Sequence, residues 1–350
     1  MNSNSSNQGQ RGRKAPTIFD VAKSAGVSKS TVSNVLQGKP NVDGEIRASV
    51  VEAMERLGYQ VHAGARFMRQ RSNVIGVVAG DLSNPFDAEL AAIVEAECAA
   101  NGFSMLLATT GGSPNLDAER VRVLLEHRVA AVLFLIDPSK AALSLVKGML
   151  PLAFLCGSGD RAGSITVDSC MGVQLAVEHL VGLGHREIGF ISLMLADEPA
   201  LEAQRYLGYL TGMKSAGLQP KATQVLREQG NRQALQQTYR QQLVAYLLHD
   251  DRPTAIVAAL DNLALEIMEV ADGFRIRIPE ELSIVGFDDI RISRHSRVAL
   301  TTVSQQAAKV AAEGVRVLID SLSNPEPNAP KSVTVPPKLL VRSTTAKPSR

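Results

Sequence analysis

Residues Thr17–Val42 read TIFDVAKSAGVSKSTVSNVLQGKPNV, and their punctuation decides the fold of the N-terminal part. Thr17 stands where a helix cap belongs, and the acid Asp20 follows three positions on, a pairing that can satisfy backbone N–H groups at a helix start. Ile18, Val21, Ala22 and Ala25 recur at helical spacing, and Gly26 ends the run. Ser28 caps a second helix in which Val32, Val35 and Leu36 point inward. After the loop Gly38–Asn41, Asp43 caps a third helix with Ile46, Val50, Met54 and Leu57 on one face and Gly58 as its stop. Two short helices joined by a tight turn at Gly26 form a helix-turn-helix pattern.

Charge supports this partition. The whole chain of 350 residues has a formal net charge of +2. Up to Arg71 it carries eleven Lys and Arg against five Asp and Glu, a balance of +6; the remainder carries 26 against 30. A basic head on a mildly acidic body predicts a polyanion partner for the first part only. The longest clean apolar run, Val129–Ile136, is far short of the ~18 residues that a membrane span needs. The polar start MNSNSSNQGQRGRK lacks the apolar core of a secretory signal. Cys98, Cys156 and Cys170 are widely spaced and odd in number, which fits reduced thiols better than a disulfide framework or a zinc site.

From Asn73 the texture changes. Apolar runs at Val74–Ala79, Phe103–Ala108, Ala131–Ile136, Ile188–Ser192, Ala255–Ala258 and Leu282–Val285 alternate with helical stretches at Phe86–Ala100, Leu116–His127, Met171–Gly182, Gln204–Ala216, Arg232–His249 and Leu263–Asp272. This alternation predicts βαβ units and parallel sheets, and the strands are too many for one comfortable sheet. Residues 1–15 read as a disordered basic arm and 344–350 as a polar tail.

The opening stretch, followed by RLGYQVHAGARFMR (Arg56–Arg69), closely resembles the head of the lactose-repressor/purine-repressor (LacI/GalR) family of bacterial transcription regulators. The body agrees in register through Asn84-Pro85-Phe86, Val167–Ile191, Arg205–Tyr209, Ile278–Asp289 and Leu300–Gln305. The resemblance spans about residues 16–342 and implies an all-α helix-turn-helix head (16–60), a hinge (61–72) and an α/β body (73–343). That body is expected to hold two doubly wound lobes of the periplasmic-binding-protein-like type I fold. Lobe 1 would take about 73–166 and 303–330, and lobe 2 about 167–302 and 331–343.

In the head, Lys29, Ser30 and Asn34 match the family's base-reading positions. Lys can bond guanine O6 and N7, Asn suits adenine, and Ser is permissive. Thr31 and Ser33 are better placed for phosphates, and Thr17 and Ser28 join the expected contacts at helix starts. In the hinge, Met68 matches the position of a minor-groove wedge, and Arg66, Arg69 and Arg71 are expected to neutralise phosphates. Val61 replaces the family's Pro, and Gly64 weakens the helix expected there.

In the body, the matched ligand positions are Phe86 as an apolar face, Arg205 as a rigid fork, Asp288 as an acceptor and Gln305 as donor and acceptor. Asp87 is either a further polar contact or a helix-start residue. Leu260, Cys156 and Glu266 depart from the family pattern, which argues against transferring any one known ligand. His179 and His185 read as packing and turn residues.

The resemblance implies a repressor that binds double-stranded DNA at a near-palindromic operator as a homodimer. Its effector would be a sugar or sugar acid, its location the bacterial cytoplasm and, when bound, the nucleoid. No cofactor, metal or membrane is expected. The alternatives are control by a partner protein, a sugar-binding transport protein or a nucleotide-using enzyme. For the last, neither a GxGxxG nor a P-loop is present.

Overall fold

The computed structural model describes residues 17–36, 42–57, 72–155, 157, 161–194, 199–221, 224–227, 232–323 and 332–349. The basic arm, the loop Gly38–Asn41, Gly58, Cys156 and the hinge residues Val61, Gly64, Arg66, Met68, Arg69 and Arg71 lie outside them. The chain divides into two compact units, Met1–Arg71 and Ser72–Arg350.

The head has three helices, α1 (Ile18–Ser24), α2 (Lys29–Leu36) and α3 (Gly44–Leu57). The Asp20 carboxylate accepts from both the backbone N–H and the hydroxyl of Thr17, closing the start of α1 as the spacing predicts. Gly26 turns the chain with φ +67°, a conformation open to glycine at little cost. Val21, Ala22, Val32, Val35, Val50 and Ala53 make the small core. Ile46, expected on the inward face of α3, is exposed, and Ala53 packs in the core instead. Ile46 sits in the first turn of α3, where the helical period alone does not report burial.

The body has two six-stranded sheets. The first contains β1 (Val74–Ala79), β2 (Ser104–Thr109), β3 (Ala131–Phe134), β4 (Leu152–Leu155), β5 (Ser164–Val167) and a late strand, β11 (Val333–Val335), in the order β11-β5-β4-β3-β1-β2. The second contains β6 (Ile188–Met194), β7 (Gln224–Arg227), β8 (Ala255–Ala258), β9 (Ser283–Asp288), β10 (Thr301–Ser304) and β12 (Lys338–Leu340), in the order β12-β10-β9-β8-β6-β7. All the pairings are parallel except β10 with β12. Each lobe therefore repeats one doubly wound order, whose switch point lies between β1 and β3 in lobe 1 and between β6 and β8 in lobe 2.

Helices cover both faces. Lobe 1 packs α4 (Pro85–Ala100) and α11 (Ala307–Ser323) on one face of its sheet, and α5 (Asp117–Glu126) and α6 (Lys140–Val146) on the other. Lobe 2 packs α7 (Ser169–Leu183) and α8 (Pro199–Ser215) on one face, and α9 (Arg232–Leu247) and α10 (Asp261–Gly273) on the other. In α4, Phe86, Leu90, Ala91, Val94 and Cys98 form the buried stripe. A Cβ on Gly314 would meet a Leu155 methyl at 2.4 Å, so the approach of α11 to the sheet requires glycine there.

Two expected boundaries move. Val333–Val335 pairs with Ile165–Val167, so this segment belongs to the first sheet and not to lobe 2. Val303 and Ser304 end β10 and stay with the second sheet. The chain thus passes between lobes three times, at 167–169, 304–307 and 335–338.

The polar tail is also a packed element. Ile284 donates its N–H to the Thr344 carbonyl (2.8 Å), and the Thr344 hydroxyl bridges the Ile284 carbonyl (2.7 Å) and the Thr301 N–H (2.9 Å). His185 lies buried beneath, with Nε2 2.9 Å from the Ala346 carbonyl and Nδ1 2.9 Å from the Thr254 hydroxyl. A carbonyl only accepts, so Nε2 carries the proton and Nδ1 is left to accept from Thr254. Burial lowers the His185 pKa and keeps the ring neutral. His179 bonds Thr345 at 3.0 Å. Both histidines have structural partners, as their packing reading predicts.

Candidate nucleic-acid interface and ligand site

The start of α2 presents a cluster of hydroxyls. Ser28 Oγ accepts the Thr31 N–H (3.1 Å) and lies 2.7 Å from Ser30 Oγ and 2.8 Å from Thr31 Oγ1. Ser28, Lys29 and Ser30 are exposed, and Asn34 is half-buried one turn after Ser30. The Lys29 ammonium rests 4.6 Å from the centroid of the Phe19 ring, which is 63% exposed. Ser30 and Asn34 share one helical face with i, i+4 spacing, and the buried Val32 and Val35 hold that helix to the core. Such an outward polar face fits the donor and acceptor edges of a major groove. Arg66, Met68 and Arg69 lie outside the described residues.

The described helices are not themselves basic. With the cap residue Asp43 they carry four of the eleven Lys and Arg of the first 71 residues and all five of the acids. The other seven cations belong to the arm, the loop and the hinge. Shape for reading and charge for affinity are thus separated along the sequence.

In the body, Arg205, Asp288 and Gln305 come together and are 6%, 5% and 4% exposed. Gln305 Nε2 donates to Asp288 Oδ1 at 2.6 Å. The Arg205 fork donates from Nη1 to the Ala259 carbonyl (2.8 Å), stacks over the Phe287 ring at 4.2 Å and leaves Nη2 3.8 Å from Asp288 Oδ1. Burial outweighs the attraction of Arg205 and, with smaller contributions from nearby Asp261 and Asp87, pushes the Asp288 carboxyl up to about 8. At neutral pH this group can therefore donate as well as accept. Asp288 and Asp289 hold φ of +122° and +60°, a local strain of the kind found at ligand sites.

The lobe 1 contributions differ. Phe86 is buried in the lobe 1 core, with Asn84 capping its helix start. Asp87 is half-buried in the first turn of α4, and its charge is felt by Asp288 across the lobes. Leu260 packs partly buried against the lobe 2 core at the start of α10. Glu266 is half-buried, and burial together with Glu269 raises it to about 7.

Sequence reasoning passed over the carboxylates that hold this geometry. Asp261 is fully buried and accepts from the Ile290 N–H (3.0 Å), Ser293 Oγ (2.7 Å) and the Thr302 hydroxyl. Asp289 is held by Arg294 and Arg342. Two residues beyond Asp288, Ile290 is buried in the lobe 1 core, and the next N–H, that of Arg291, donates to Glu89 of α4 at 2.7 Å. The adjacent acids Asp288-Asp289 were the only sequence signal for this relay. A depression of 440 Å³ lined by Gly184, Arg186, Glu187, Asp250, Asp251, Arg252, Thr254 and Pro348 lies at the opposite, N-terminal edge of the second sheet. It contains no predicted site residue. Among the described residues no cluster suited to a metal ion occurs, and no helix is long and apolar enough to cross a membrane.

A family described as "Bacterial regulatory proteins, lacI family" matches residues 17–61, and a "Periplasmic binding protein-like domain" matches 177–345. Catabolite control protein A of Priestia megaterium is 31% identical over 337 residues, covering 94% of this chain and 99% of that protein. The Lac repressor dimer bound to operator and the anti-inducer ONPF has a TM-score of 0.80 at 28% identity, over 95% of this chain and 100% of that one. The transcriptional regulator CelR in complex with cellobiose has a TM-score of 0.65 at 25% identity, over 94% and 99% of the two chains. The two-lobed body is the type I periplasmic-binding-protein-like fold.

Proposed function

Because this chain belongs to the lacI family of bacterial regulators, and is a DNA-binding transcriptional regulator with an effector-binding body and not an enzyme, we propose that it is a repressor whose operator affinity is set by a sugar or sugar acid. The observation that carries this reading is the buried constellation Arg205–Asp288–Gln305 at the carboxyl edge of the second sheet. That edge is where doubly wound sheets bind ligands. Arg205 serves a hydroxyl or carboxylate oxygen, Asp288 exchanges hydrogen bonds with hydroxyls, and Gln305 and Asp87 complete the polar ring. The likeness to the cellobiose complex supports a carbohydrate effector.

In this reading Lys29, Ser30 and Asn34 read base edges, while Thr17, Ser28, Thr31, Ser33, Arg66 and Arg69 engage the backbone and Met68 opens a base step. A single head makes few contacts, so two heads of a homodimer act on a near-palindromic operator. The relay from Asp288 through Ile290 and Arg291 to Glu89 supports a mechanism in which effector binding biases the angle between lobes. The size of that bias is limited by the effector's differential affinity for the two arrangements.

Footprinting on the chain's own upstream region at low salt tests the DNA reading, and absence of protection refutes it. A thermal-shift panel of D-ribose, D-glucose, cellobiose, D-gluconate and D-glucuronate tests the effector class. A positive compound that still shifts Arg205→Ala equally removes Arg205 from the site.

A further inference from the structure

The ligand wall of lobe 2 contains a polar residue that neither the sequence nor the family positions single out. Along β6, β8 and β9, Phe190, Val257, Val285 and Phe287 face α7 and α8, whereas Ile191, Ile256, Ala258 and Ile284 face the other way. Ser192 follows Phe190 by two residues and shares its face. The parallel register pairs Phe190 with Val257 and Ile191 with Ala258, which sets Ser192 beside Ala259. The Ala259 carbonyl is the one that fixes Arg205. Ser192 is 3% exposed, and its hydroxyl has no hydrogen-bond partner among the described residues. On the same face, the Nε of Arg205 is also buried and has no partner among the described residues, although its Nη1 and the neighbouring Asp288 and Gln305 are bonded.

Two buried polar groups without described partners therefore lie on one face, beside Ala259 and the β6–β8 switch point at the carboxyl edge of the sheet. Leaving a buried polar group unpaired is costly, and native structures rarely do so without a reason such as a missing ligand. We propose that Ser192 Oγ and Arg205 Nε together hold one ligand oxygen, making Ser192 a specificity-determining residue of the effector site. Arg205 Nε only donates, so that oxygen must accept; the Ser192 hydroxyl donates to it or accepts from its proton. The chemistry matches a sugar hydroxyl, and a second, neighbouring hydroxyl reaches Asp288. Leu260, apolar at the start of α10, leaves this side of the site short of other polar partners.

The inference rests on the effector reading, and its test separates the two. Ser192→Ala in the full chain is melted without ligand, then titrated with whichever of D-ribose, D-glucose, cellobiose, D-gluconate or D-glucuronate shifts the wild type. The expected result is an unligated midpoint equal to or above wild type, with affinity for the probe lower by about five- to tenfold, one hydrogen bond's worth. Wild-type affinity in Ser192→Ala, with Arg205→Ala inactive, overturns the role of Ser192 and leaves the effector reading intact. If no probe shifts the wild type, the unligated melt decides. A lowered midpoint shows that the protein itself uses the hydroxyl and overturns the proposal; an equal or raised midpoint supports it.

Discussion

The start of α2 and the end of β9 are both dense in polar side chains, but they handle them in opposite ways. At α2 the hydroxyls of Ser28, Ser30 and Thr31 bond one another and the helix N-terminus while exposed or half-exposed. At β9, Arg205, Asp288 and Gln305 are buried, Asp288 is pushed up to about 8, and Arg205 keeps an Nε without a partner among the described residues. The head presents a surface that is already satisfied and exchanges water for base edges at little internal cost. The body holds groups out of water, and in the proposed reading ligand binding relieves that state. Reading DNA is therefore a matter of surface matching, and sensing the effector a matter of completing an interior.

The largest test of this contrast is Arg205→Ala. It should abolish the effector response, with a loss of about 2–5 kcal/mol in ligand affinity, because a buried charged partner is removed. Calorimetric titration measures it, and operator binding without effector should persist. Asn34→Ala should cost about 1–3 kcal/mol in operator affinity and nothing in non-specific binding. Competition footprinting separates the two, and equal loss in both would make Asn34 a phosphate contact. Glu89→Ala removes the contact with the Arg291 N–H and should reduce the ratio of operator affinities with and without effector by about 0.5–2 kcal/mol. An unchanged ratio would cut Glu89 out of the relay.

A separate test reads the two regions through pH dependence. The folded Asp288 carboxyl holds its proton up to about 8 while the unfolded one loses it near 3.8, so between these values the folded chain binds more protons. Stability from this group falls as pH rises through that window. His185 acts oppositely. Its folded pKa lies below 6.5, so its contribution is present above 6.5 and is lost as pH falls below it. Urea midpoints should show that Asp288→Asn flattens the decline with rising pH between about 4 and 8, and that His185→Asn flattens the decline as pH falls below 6.5. No change in either profile would show that neither group governs it.

Much of the fold was legible in the sequence. Caps, periodic apolar residues and turn glycines located the three head helices, and the apolar runs located β1, β3, β6, β8 and β9 within a few residues. Short strands are less visible: β11 and β12 have three residues each, too few for alternation to register, so nothing local corrects the lobe boundary at 331 that the family resemblance implies. The tail looked like solvated polar chain because its order comes from Thr344 and Ala346 meeting Ile284, Ser283 and His185, contacts 60 or more residues apart in sequence that no local pattern encodes. In the candidate ligand site, Arg205, Asp288 and Gln305 are legible through family register. Ser192 and Asp261 are not, since what sets them apart is what they do or do not bond once buried.

The three passages between lobes have a consequence for how the body can be altered. Lobe 1 is complete only when residues 333–335 join its sheet, and lobe 2 only when 338–346 join the other. No single cut in the coding sequence separates them. One recombination crossover with a relative cannot exchange an intact lobe, and during synthesis neither sheet closes until the last fifth of the chain is made. The two halves of the sensor are thus inherited, and assembled, together.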